Sequence, residues 1–96
     1  MNNVIDYKPY MDSDYKVYVE VNEDRLKDGR LFPRSFIWED GQRYEIDKVT
    51  DVRPAASLKA GGVGMRYTVI VRNRETFMYL EEDADGAKWF MERKER

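Results

Sequence analysis

Val17, Val19 and Val21 alternate with Lys16, Tyr18 and Glu20. Apolar side chains at every second position put one face of an extended segment into a core and leave the other in water, so a half-buried strand is predicted from Tyr15 onward. The stretch from Asn22 to Arg34 breaks this alternation with many charges, Gly29 and Pro33. It reads as a connection, with a helical turn possible over residues 23–27. Aromatic and β-branched residues return at 35–38 and 43–46, on either side of Asp40-Gly41, a dipeptide suited to positive φ at both turn positions. A β-hairpin is predicted there. Its second strand runs on to Val52, with Ile46, Val49 and Val52 spaced as though a bulge intervenes, and Pro54 ends it.

Residues 55–64 (Ala-Ala-Ser-Leu-Lys-Ala-Gly-Gly-Val-Gly) form a small-residue, Gly-rich loop. Residues 66–71 read as a strand, 72–75 as a turn, 76–80 as a further strand and 81–86 as an acidic turn. Residues 87–92 fit either a last strand or a terminal helix, and the short turn before them favours the strand. The pattern therefore predicts an all-β domain of five to six short antiparallel strands, either a small curled sheet or an SH3-like barrel. Curling hides strand edges that so short a chain has no helices to cover. A flexible polar arm over residues 1–14, one β domain over 15–92 and a solvated tail over 93–96 complete the expected organisation.

Composition narrows the chemistry. Ninety-six residues suffice for one domain and not for two. Seven of the thirteen aromatic residues are tyrosine, which suits a thin domain because the ring is buried while the hydroxyl reaches water. The chain contains neither Cys nor His. That removes disulfides, thiolate nucleophiles, zinc–thiolate and iron–sulfur ligation, and the usual general base near neutral pH. No enzyme activity, cofactor or metal is expected. The first twenty residues hold Asp6, Asp12 and Asp14 and no apolar run. With no secretory signal and no membrane span predicted, the reading is cytoplasmic.

One resemblance emerges from three segments. They are Phe36-x-Trp38-x-Asp40-Gly41-x-x-Tyr44-x-Ile46-Asp47-x-Val49, then Lys59-x-Gly61-Gly62-x-Gly64-x-Arg66-Tyr67-Thr68-Val69, then Trp89-Phe90-x-Glu92. Together they resemble a family of small uncharacterised bacterial proteins associated with Gram-positive bacteria and their mobile elements. The likeness spans roughly residues 15–92. It implies a small β fold and no particular activity.

Charge is the most informative functional signal. Between Val52 and Arg74 the chain holds Arg53, Lys59, Arg66, Arg72 and Arg74 and no acidic residue, whereas the remainder holds 12 basic and 19 acidic residues. A single-sign segment on a sheet attracts anionic partners. Tyr67 lies among these charges, with Trp38 and Tyr44 expected near it across the sheet. The candidate binding surface is therefore Arg53, Lys59, Gly61, Gly62, Gly64, Arg66, Tyr67, Arg72 and Arg74. Another protein is the expected partner, held at this surface, at the Gly-rich loop or at an exposed sheet edge. The alternative is single-stranded nucleic acid, stacked on aromatic rings between arginines, as an accessory role in a mobile element. Against both stands the plainer reading, that the arginines are solvated and pair with Glu81, Glu82, Asp83 and Asp85. That reading carries the most weight, and the acidic sequence pI of about 5.2 also weighs against a dedicated nucleic-acid binder.

Other motifs dissolve on inspection. The glycines at 61, 62 and 64 are not followed by Lys-Ser/Thr and lead into a strand, so no helix N-terminus awaits a phosphate. Glu81, Asp83, Asp85, Gly86 and Glu92 have the spacing of a calcium-binding loop, but strands and not a helix precede them, and Lys88 stands where an apolar residue normally packs. Glu45 and Asp47 share a strand face opposite Tyr44 and Ile46, as solvent-facing carboxylates do. Ser57 has no histidine to activate it.

Overall fold

The computed structural model describes residues 16–55 and 63–93. Over these residues the chain is all-β, with no helix. The strands are β1 (Lys16–Arg25), β2 (Leu31–Ile37), β3 (Arg43–Glu45), β4 (Lys48–Pro54), β5 (Val63–Val71), β6 (Arg74–Asp83) and β7 (Gly86–Glu92). Every pairing among them is antiparallel, in the order β3-β2-β1-β7-β6-β5-β4, and the sheet curls into a half-barrel. Residues 87–92 fall in β7, the strand that the preceding short turn favours. The expected arm at 1–14, most of the Gly-rich loop and the end of the tail lie outside the described residues.

Two sequence expectations need correction. Asn22 to Arg34 is no loop and holds no helical turn: β1 and β2 run into it and meet at a tight turn. The strand read from Tyr44 to Val52 is two strands, β3 and β4, divided at Ile46-Asp47, which brings the total to seven.

The first correction has a local cause. Leu26 N–H donates to the Arg30 carbonyl (2.8 Å) and Gly29 N–H to the Leu26 carbonyl (2.9 Å); Trp38, Gln42 and Gly41 repeat both bonds at 3.0 and 2.9 Å. Gly29 and Gly41 close these loops at φ 92° and 82°, the left-handed residue of a three-residue hairpin loop. In each loop the preceding aspartate accepts the amide two residues on: Arg30 N–H reaches Asp28 Oδ1 (3.1 Å) and Gln42 N–H reaches Asp40 Oδ1 (2.9 Å). These are Asx turns. Asp28-Gly29 thus carries the same signal as Asp40-Gly41. Its flanks hide it, because residues 22–25 of β1 are all exposed and show no alternation. Only the glycine of each pair has positive φ, so the expectation of two left-handed residues fails at Asp40. It holds instead at Arg72 (φ 52°) and Asn73 (φ 66°), the two-residue turn between β5 and β6.

The second correction explains the curl. Ile46 N–H donates to the Arg34 carbonyl of β2 and the next amide, Asp47 N–H, to the Ile70 carbonyl of β5 (2.9 and 2.8 Å). Adjacent residues thus bond to opposite arms of the strand order, which bends the sheet around on itself. β1 assists by pairing with β7 through residues 16–19 and with β2 through residues 20–25.

Two bulges then re-aim side chains. The β1–β2 register skips Arg34, and the β4–β5 register skips Thr50. An extra residue reverses the in–out phase. Leu31 and Phe36, five apart, consequently both reach the core, and Val49 and Val52, three apart, both pack against it. Pro33 sits in the part of β2 that β3 does not reach, where a missing N–H breaks no ladder with β3.

The inner face buries Leu31, Phe36, Tyr67, Val69, Val71, Met78, Leu80, Trp89 and Met91. Each fully buried apolar side chain contributes about 1.5–3 kcal/mol. Tyr67 also crosses the core: its hydroxyl donates to the Leu31 carbonyl at 2.7 Å, and its ring meets Trp89 edge-on at 4.9 Å.

Candidate functional site

The candidate residues separate. Arg53 and Arg66 are cross-strand partners on β4 and β5. Arg53 donates to Asp51 Oδ2 at 2.7 Å, which holds the Asp51 carboxyl below its ordinary pKa. The Arg66 guanidinium lies 4.4 Å from the Phe77 ring centroid. Gly64 pairs with Glu81 within the sheet. Tyr67 is buried in the core, 4% exposed, and is no part of any surface; burial, before the charge of Glu82, pushes its hydroxyl pKa up. Lys59, Gly61 and Gly62 lie outside the described residues. The expected pairing of the arginines with the 81–85 turn is replaced at Arg53 by Asp51, while Glu81 is held by Lys16 (3.5 Å) and the Tyr18 hydroxyl (3.0 Å). The residues at 81–86 form the end of β6 and a short turn into β7. Among the described residues no cluster of acidic side chains is gathered as a metal site.

Arg72 and Arg74 stand at the other end of β5, because the β5–β6 turn reverses the chain there. Trp38 and Tyr44 lie beside this pair and not beside Arg66. The Arg72 guanidinium sits 4.6 Å from the Tyr44 ring centroid. Tyr44 in turn stacks on Phe36 at 5.4 Å with 13° between planes. Its hydroxyl donates to Asp40 Oδ2 at 2.9 Å. That bond raises the Tyr44 pKa, while the Gln42 amide, and after it Tyr44, lowers that of Asp40. In the β2–β3 loop, Glu39 accepts from two nitrogens of Arg93 at 3.1 and 2.8 Å. The β2–β3 hairpin is thereby tied to Arg72 and to Arg93.

Between the β2–β3 and β5–β6 hairpins lies an open groove of about 570 Å³. Phe36, Val71 and Met91 line it with Trp38 and Tyr44, and Arg72, Arg74, Glu75 and Glu92 supply its charges. Such a surface can hold an apolar group beside an anion. Sequence reasoning named Arg72 and Arg74 and missed Phe36, Val71 and Met91. Those look like ordinary core residues, and the hairpins that leave them at an opening are distant in sequence.

Arg72 has a further peculiarity. Left-handed φ costs a side-chain-bearing residue about 1 kcal/mol, and this turn position favours Asn, Asp or Gly. A cation is kept at the groove lip in spite of that preference.

Comparison with protein-family models, with curated proteins and with solved structures finds no match. Among the described residues no helix is long and apolar enough to cross a membrane.

Proposed function

We propose that the protein is a non-catalytic interaction module that holds a short segment of a partner protein in the groove between the β2–β3 and β5–β6 hairpins. The observation that carries this reading is the pairing of an apolar, aromatic lining with Arg72 and Arg74 at one opening. A partner segment placing an apolar side chain against Phe36 and Trp38, with a carboxylate two or three residues away, satisfies both halves. Arginine suits such a lip because its planar fork reads a carboxylate with two hydrogen bonds. Selection from a displayed random-peptide library tests it. The expected consensus is an apolar or aromatic residue near Asp or Glu, with binding lost in Arg72→Glu/Arg74→Glu. A library that returns no consensus, or ligands indifferent to that double substitution, refutes it.

A second reading has its own observation. Tyr18, Phe90, Tyr79, Arg66 and Arg53 are successive cross-strand partners on β1, β7, β6, β5 and β4. They form one row across the outer face, in which Tyr18 is half-exposed and Phe90 is buried beneath its neighbours, with exposed Phe77 beside it. Exposed rings beside arginines on a sheet, as Phe77 is beside Arg66, suit stacking with single-stranded nucleic acid. Asp51, Glu81 and Glu92 on the same face offset the cations, so this reading is the weaker. Anisotropy with single-stranded oligonucleotides decides it: steeply salt-dependent binding, lost in Arg53→Glu/Arg66→Glu, supports it, and no binding at low salt removes it.

A further inference from the structure

β1 changes partner part-way along its length. Val19↔Trp89 is its last pair with β7, and Glu20↔Ile37 its first with β2. Beyond that fork the β7-facing flank of β1 and residues 86–88 of β7 diverge, with no ladder on either flank among the described residues. A cleft of about 580 Å³ opens there, lined by Val19, Glu20, Val21, Ala87 and Lys88. The Trp89 indole N–H donates to Glu23 Oε1 at 2.6 Å, linking the two sides through side chains and not through backbone.

The sheet's terminal strands differ from this fork. β3 is three residues long. β4 carries a bulge at Thr50, charges at Lys48, Asp51 and Arg53, and Pro54 at its end. Short length, bulges, charges and proline all discourage an added strand. Neither flank of the fork contains a proline or a bulge facing β7, and residues 86–88 are exposed. Its charge is mainly negative: Glu20 and Glu23 line it, and Glu82, paired with Ala87 in the ladder, is exposed beside it. Lys88 faces Glu81 across the same ladder.

We propose that this fork is a second binding site, which takes an extended basic segment of a partner protein as an added β-strand. Unpaired backbone groups on the two flanks supply main-chain hydrogen bonds. Val19 and Val21 receive alternate apolar side chains of the incoming strand, and Glu20, on the opposite face of β1, selects lysine or arginine at the positions between; Glu23 and Glu82, which share the valine face, add to the negative potential of the fork. The site is separate from the arginine-lipped groove and selects the opposite charge.

The probe is the blocked peptide acetyl-Lys-Val-Lys-Val-Lys-Val-Lys-Val-amide, titrated against the full chain while amide hydrogen exchange is followed residue by residue. Binding is expected with slowed exchange at amides within 20–23 and 86–88. Glu20→Lys, an exposed change that leaves the core untouched, weakens it about fivefold, the upper worth of an exposed ion pair. Arg72→Glu leaves it unchanged. The same peptide methylated at alternate backbone nitrogens fails to bind. No binding at millimolar peptide overturns the proposal, as does equal affinity for the Glu-Val counterpart or binding that leaves those amides unprotected. Protection of the same amides by self-association without peptide makes a second copy the occupant and overturns the basic-partner assignment.

Discussion

Tyr67→Phe removes one oxygen from the centre of the molecule and tests how the half-barrel is held together. The hydroxyl donates to the Leu31 carbonyl at 2.7 Å, joining β5 to β2 across the core, and both residues are 4% exposed. The ring survives the substitution, so its edge contact with Trp89 and its buried apolar area are retained. What is lost is the hydrogen bond, and the carbonyl left behind is too deep for easy hydration. A buried polar group deprived of its partner costs about 1–3 kcal/mol. For a domain of this size each kcal/mol corresponds to about 4–8 °C in Tm. Urea unfolding, followed by tryptophan fluorescence, is expected to show that loss with an unchanged slope. The pH dependence supplies an internal check. Burial raises the Tyr67 pKa in the folded state above its ordinary value of 10.0. A group whose folded pKa is raised stabilises below its unfolded pKa, and that contribution is lost as pH rises through the folded value. The gap between wild type and variant is therefore full below about pH 10 and narrows above it. A variant as stable as wild type at pH 7 shows that the hydroxyl does not hold β5 to β2, and the reasoning fails.

Three further expectations follow from the turns and the groove. Gly29→Ala and Gly41→Ala place a Cβ in open space but at φ 92° and 82°; each should destabilise by about 1 kcal/mol through backbone strain alone, and a larger loss in denaturant titrations would show a packing role instead. Arg72→Asn relieves about 1 kcal/mol of turn strain and gives up a cation–π contact of similar size, so Tm should not fall while affinity for groove-selected peptides does; a clear drop in Tm refutes this. The Arg30 amide holds the Asp28 pKa below its ordinary 3.8, so its contribution is present above that pH and is lost as pH falls through the folded value; Asp28→Asn should flatten that acid limb in a stability–pH series, and an unaltered limb contradicts the assignment.

Much of the secondary structure was legible in the chain because it depends on neighbours. Alternation at Val17–Val21, the Asp40-Gly41 turn and the strand over residues 66–71 are local patterns, and the structure keeps them. Even the bulge suspected from Ile46, Val49 and Val52 is present at Thr50. The hairpin at Asp28-Gly29 is harder to read, because its turn chemistry is not flanked by alternation. β1 is exposed on both faces there, so it has no apolar period to display.

The candidate site was less legible. Five basic residues within one acid-free segment predict a single charged surface, with Tyr67 among them. A strand alternates its side chains, so Arg66 and Tyr67 point to opposite faces, one to the outer surface and one to the core. The last five residues of β5, 67–71, then separate Arg66 from the turn at Arg72. The sequence by itself determined an all-β chain without cysteine or histidine chemistry and with a basic central segment. Tertiary structure decided where that charge goes. Which side chains share a groove depends on the bonds of Ile46 and Asp47 to opposite arms of the sheet, on the phase reversals at Arg34 and Thr50, and on the fork in β1. Each of these is a pairing between residues far apart in the chain, and no local pattern records it.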